Sequence, residues 1–356
     1  MKKYYGLLLS IILLLTFVIA GCGNSKEEGT KTVKEETDDV TDSAASEDNR
    51  FIFTANEGGS ISKISVEQQK LIETFEIDGA VHNIQVSPDG KVVGAVVVPD
   101  MSDGNGEPME MKGKAIFFNP ETNEMLEEVE VGNHPAHIVF TEDGKYVLVT
   151  NNEDNTVSVI DAKDYSIIET VSTGKGPHGF RISNDSKFAY VANMGEDSVS
   201  VIDLQSFKEK KKIQVGTAPA TTGVTSDGNT LIATINKDNT LAIIDLKSGE
   251  IDKVDVGNGP IQVYIEPDNQ FAYVANQGTE DNPDHTVTKV DLKSKKVSAT
   301  IDTGEGSHGV VTSADSKFTY VANMFEDTVS VIDNEQNKTI KTIKVGKTPN
   351  GISIMP

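Results

Sequence analysis

Three of the chain's six histidines stand at matching places, each just ahead of an apolar run: His82 in GAVHNI, His178 in GPHGF and His308 in GSHGV. Neutral imidazole is a ligand for zinc, copper, iron and nickel, and a thioether adds a preference for Cu(I). Methionines accompany these histidines. Met194 and Met324 follow the VAN tripeptide in the same two copies that carry His178 and His308, and Met101, Met109 and Met111 fall in the polar segment 100–114 after His82. His134 and His137 share the run NHPAH, and His285 closes the segment QGTEDNPDH. His82, His178, His308 and His137 with Met194 and Met324 are therefore the candidate metal set, for copper or zinc. Met101, Met109, Met111, His134 and His285 are expected in loops on the same ligand-binding face. Duplication of one unit would also bring His178 and His308 into register, and a methionine at a strand end commonly serves packing.

Other chemistries leave little trace. The chain has no CxxCH for covalent haem, no GxSxG elbow, no phosphate loop and no HExxH. Acidic runs such as NNEDN (151–155) carry hard oxygen ligands but lack the spacing of a calcium loop, and read as solvated turns. No catalytic residue is assigned.

What must position the histidines is a repeat. The stretch from Gly176 to Gly216 recurs without a gap as Gly306 to Gly346. Each copy holds four short runs of Val, Ile, Tyr and Phe between turn residues, which is strand patterning. Related turns recur at Asp89, Asp143, Asp185, Asp227, Asp268 and Asp315, and YVAN-like strands end at Asn56, Asn151, Asn193, Asn236, Asn276 and Asn323, with a degenerate copy near Pro99. Four strands in roughly 40 residues, seven times over, predict an all-β seven-bladed β-propeller with four antiparallel strands per blade. Aspartates that end third strands, Asp161, Asp203, Asp245, Asp291 and Asp333, are expected to accept backbone N–H groups in the following turn.

These motifs closely resemble the YVTN-repeat β-propeller family, whose second strand here reads YVAN or LVTN, over nearly all of residues 51–356. The resemblance speaks for fold, and propellers host unrelated activities.

The first unit lacks its first strand, and the chain closes on Asn350-Gly351-Ile352-Ser353-Ile354-Met355, a first strand and nothing more. The C-terminal strand is thus expected to join strands two to four of the N-terminal unit and to hide both sheet edges. If first strands line the axis, the starts of first strands and the ends of second strands share one face. His82, His178 and His308 would then meet near-trigonally at the upper mouth of the central channel. Insertions 100–114 in blade two and 277–285 in blade six belong to that face.

The formal net charge of −23 and the absence of tryptophan argue against a nucleic-acid partner, which needs a basic surface and stacking aromatics. Lys2 and Lys3 open a leader whose apolar run, Leu7 to Ile19, is short for a transmembrane helix. It ends in IAGC, which resembles a lipoprotein lipobox. The resemblance implies a signal peptide at 1–21 and a diacylglycerol thioether and palmitate on Cys22, the chain's single cysteine. Residues 22–50 read as an acidic tether without apolar content. The expectation is a monomeric lipid-anchored protein on the extracytoplasmic face of a bacterial membrane, binding a small ligand, a metal or a surface protein. Two alternatives stand beside it: a copper-handling or redox protein using His82, His178 and His308, and a lactonase-like hydrolase with carboxylates and asparagines about the channel.

Overall fold

The computed structural model describes residues 50–99 and 112–356. The leader, Cys22, the acidic segment and Met101, Met109 and Met111 lie outside them. The described residues form twenty-eight strands in seven four-stranded antiparallel sheets, the seven-bladed all-β propeller that the repeats predict. Blade one is closed as expected. Strand β28 (Pro349–Ile354) pairs antiparallel with β1 (Phe51–Asn56), and β2 (Ser60–Ser65) and β3 (Lys70–Glu76) complete the sheet.

The core is divided among seven apolar clusters, one between each pair of neighbouring sheets. Phe53 and Ile61 of blade one pack on Ile84, Val97 and Phe118 of blade two, and Ile52 and Ile64 pack on Tyr320 and Val331 of blade seven. Inner strands are buried on both faces, whereas outer strands such as β15 (Lys208–Gln214, KEKKKIQ) face water and carry charge. At about 25 cal/mol per Å² of buried apolar surface, stability is spread around the ring.

The turn aspartates behave as turn chemistry predicts. Asp203 Oδ1 accepts the backbone N–H groups of Gln205 and Ser206, Asp245 and Asp333 likewise accept two, and Asp161 and Asp291 accept from Lys163 and Ser294. The repeat asparagine has a separate duty. Asn193 Nδ2 donates to Ser198 and Ser200 Oγ on the adjacent strand, both at 2.9 Å, and Asn56, Asn151, Asn276 and Asn323 make the same pair of bonds. Against Asn193 lies Gly174, in the segment arriving from the previous blade, where a Cβ would strike the amide.

Blade five departs from the sequence alignment by one residue. Pro219 pairs with Ile235 where Pro177 pairs with Asn193, so Ile235 occupies the asparagine's place and Asn236 lies one position beyond it. The blade-six insertion is not an irregular loop. It lengthens β21 (Phe271–Thr279) and β22 (Asn282–Asp291) into a hairpin, with Thr279 opposite Asn282.

Candidate functional site at the upper channel mouth

Five of the six histidines arrive on or just before a first strand. β4 (Ala80–Val86) brings His82, β8 (Pro135–Phe140) brings His137 with His134 just ahead of it, β12 (Pro177–Ile182) brings His178, and β24 (Ser307–Thr312) brings His308. Proline or serine opens the later three strands, after a residue in the left-handed region or a glycine with positive φ, so the chain turns sharply into the channel wall. His134 itself has φ 47°, tolerable in a turn.

Four rings gather. His82 meets His178 edge to face with centroids 5.6 Å apart, His137 meets His178 at 4.9 Å, and His134 and His137 lie 6.2 and 6.4 Å from His82. His308 stands outside the ring contacts of these four and is joined to His82 through Asn350 and Glu57. His308 Nδ1 donates to the Asn350 backbone carbonyl at 2.7 Å, and Asn350 Nδ2 donates to Glu57 Oε1 at 2.7 Å. His82 Nδ1 lies 2.7 Å from the same Glu57 oxygen. A carboxylate can only accept, so His82 carries its proton on Nδ1. The 3.1 Å approach of Asn350 Nδ2 to that nitrogen is therefore two donors converging on one acceptor. By the same reasoning Gln262 Nε2, 3.3 Å from His308 Nδ1, donates instead to the Asn350 carbonyl at 3.2 Å.

His178 Nδ1 reaches the Ala220 carbonyl at 3.1 Å, so this ring also holds its hydrogen on Nδ1. The Nε2 lone pairs of His82, His178 and His308 are left for a ligand, a tautomer arrangement common behind metal-binding histidines. His137 is 1% exposed, and neither of its nitrogens finds a hydrogen-bond partner among the described residues; the same holds for Asn350 Oδ1.

Burial sets the charge state. It pushes His178 down to about 3 and His308 to about 4, in both cases helped by the neighbouring His82 and opposed by the carbonyl that accepts Nδ1–H. His137 is pushed well below the imidazole range by burial and then by His178 and His82. Burial would raise Glu57, but the hydrogen bond from His82 and the imidazoles around it prevail and hold it below the usual carboxylate range. His137, His178 and His308 are thus neutral imidazoles at neutral pH, beside one ionised carboxylate.

Met324 is on the same face, but its sulfur accepts from Gln277 Nε2 at 3.2 Å, and Met194 is half-buried, its backbone N–H donating to the Gly176 carbonyl two residues before His178. His285 is exposed on the blade-six hairpin. Among the described residues no group of three or more His, Cys, Asp or Glu side chains is already disposed around a metal position. The repeat asparagines invoked for a hydrolase are committed to strand hydroxyls rather than to the channel. Sequence reading missed Glu57 and Gln262. Glu57 directly follows a repeat asparagine, the offset that singled out Met194 and Met324, and that register was its available signal.

The fold recurs widely among solved structures. Kuenenia stuttgartiensis hydrazine synthase superposes with a TM-score of 0.68 at 21% identity, over 78% of this chain and 90% of that one. A Bacteroides fragilis chain proposed to be a 6-phosphogluconolactonase gives 0.70 at 15% identity, over 88% and 99%. The dihydro-heme d1 dehydrogenase NirN gives 0.62 at 14% identity, over 86% and 75%. At these identities the likeness is one of fold. Comparison with curated proteins gives no match. A family model, the YNCE-like beta-propeller, matches residues 111–355, which include the three blades and more that carry His134, His137, His178 and His308, and this chain belongs to that family.

Proposed function

We propose that this protein is a lipid-tethered, extracytoplasmic binding module that takes one late first-row transition ion at the upper channel mouth. The carrying observation is His137, a neutral imidazole buried with both nitrogens unpartnered, beside two rings whose Nε2 lone pairs are open. A buried polar group without a partner costs about 1–3 kcal/mol, which an ion bound there would recover. Imidazole with one carboxylate suits zinc or copper(II). Small ring rotations would draw His82, His137 and His178 onto one ion, with Glu57 orienting His82 from behind. The thioethers are dispensable in this reading.

Titration of the chelator-stripped full chain with zinc chloride and with copper(II) chloride tests it. About one ion per chain at micromolar affinity or better, roughly 8 kcal/mol, is expected, with loss in His137→Ala and His178→Ala. Equal uptake by these variants and the parent would remove the site. Tethering rests on the apolar leader and IAGC, and Cys22→Ser should release the protein from the membrane fraction.

A further inference from the structure

The channel has a second polar layer at its other end. Four residues beyond the start of each first-strand register lie Gln85, Arg181, Tyr264 and Ser353, contributed by blades two, four, six and one. They line a cavity of about 230 Å³ whose remaining wall includes Ile84, Val311 and Ile352. The chain has only two arginines, Arg50 and Arg181, against thirty lysines, and Arg181 is the one placed on the axis. Its Nη1 donates to the Phe180 carbonyl at 2.9 Å, and no carboxylate of the described residues comes within 4.0 Å of it. Most of the guanidinium's five donors are left over.

Around it stand further donors. Gln85 Oε1 is occupied by the Phe140 N–H at 2.7 Å, which leaves the Gln85 amide nitrogen to donate. Tyr264 shares the cavity, and the nearby guanidinium partly offsets the rise that burial imposes on its phenol. Glu142, exposed at the rim, influences Arg181 only from a distance. An unpaired, partly desolvated cation with a planar fork calls for a carboxylate or phosphate, and an otherwise acidic protein has no surface reason to hold one there.

We infer that Arg181, with Tyr264 and Gln85, binds the carboxylate of a small organic acid whose apolar body lies against Ile84, Val311 and Ile352. The volume corresponds to about eight waters at roughly 30 Å³ each, which suits a short-chain acid. The mixed wall favours such an acid over inorganic phosphate, which has no apolar part. The inference does not rest on a metal at the histidine mouth, although Gln262, 3.3 Å from His308 Nδ1, lines the same cavity.

Calorimetric titration of the full chain with butyrate and, separately, with inorganic phosphate provides the test. Butyrate should bind with a Kd of about 1 mM or tighter, and Arg181→Gln should weaken it at least about tenfold. Tyr264→Phe, which keeps the ring and the packing, should weaken it roughly threefold to tenfold by removing one hydrogen bond. Glu142→Gln should strengthen it by relieving repulsion. Failure of butyrate to bind at about 10 mM, or equal binding by folded Arg181→Gln and Tyr264→Phe chains, overturns the site. Phosphate binding as tightly as butyrate overturns the assignment to an organic acid.

Discussion

Asn350 and Glu57, 293 positions apart in the chain, are joined by a 2.7 Å hydrogen bond from the Asn350 amide to the Glu57 carboxylate. One lies on the strand that closes the ring and the other just beyond the strand it closes onto. The same asparagine accepts from His308 through its backbone carbonyl, so the seam of the propeller is also a wall of the histidine site.

Cutting the chain after Gly346 removes β28 and exposes the edge of β1 together with Ile52 and Phe53. The truncated protein should lose its cooperative melting transition and aggregate, because an open sheet edge invites pairing. An unchanged melting temperature would contradict the closure. Asn350→Ala keeps the strand and should cost about 1–3 kcal/mol in urea unfolding, leaving Glu57 without one donor.

Acid should attack the mouth before most of the surface. His178 and His308 titrate near 3 and 4 in the folded protein and near 6.5 when unfolded. Between those values the unfolded chain binds more protons, so stability falls as pH drops below about 6.5, by roughly 1 kcal/mol per pH unit for each group. Urea midpoints at pH 7, 5.5 and 4.5 would show the slope, and His178→Gln should flatten it.

Glu266 gives the opposite sign. Burial and then the neighbouring Asp268 push it up to about 7, above its unfolded value, so ionising it works against folding. Its contribution to stability should be retained in acid and lost as pH rises from about 4.5 through 7. Glu266→Gln should remove that loss, visible as a smaller difference between urea midpoints at pH 5 and pH 8. A parent and variant with the same difference would refute the assignment.

The asparagine clasp predicts a cost unrelated to ligands. Asn193→Ala would leave Ser198 and Ser200 without their shared donor and should destabilise by about 1–3 kcal/mol. Gly174→Ala should do likewise from the other side, since the added methyl meets the Asn193 amide. Metal uptake at the mouth should persist in both variants while they are folded.

The propeller was legible because a repeated turn-and-strand unit states its own periodicity, down to the shared blade at the seam. Blade five shows where letter matching misleads: ATIN looks like YVAN, yet the strand is positioned by the count of eight from Asp227 to Ile235, which places Asn236 one step too far. In the site, His82 and His178 were readable from repeat position, and His137 from its neighbouring strand. The absence of His308 from the ring contacts was not, because equal register says nothing of which way a ring leans, and Asn350 accepts its hydrogen bond. Glu57, Arg181 and Tyr264 stayed hidden for a related reason: each is a departure from the repeat, and a single departure has no echo elsewhere in the chain to mark it.

The seam also imposes an order in time. Residues 349–354 leave the ribosome after every other strand of the ring, yet they complete the sheet that contains the earliest of those strands. Blades two to seven can assemble as they emerge, while blade one must wait with its inner edge bare. The emerging chain therefore holds an unfinished circle, and the link from His308 through Asn350 to Glu57 comes into being only with the final stitch.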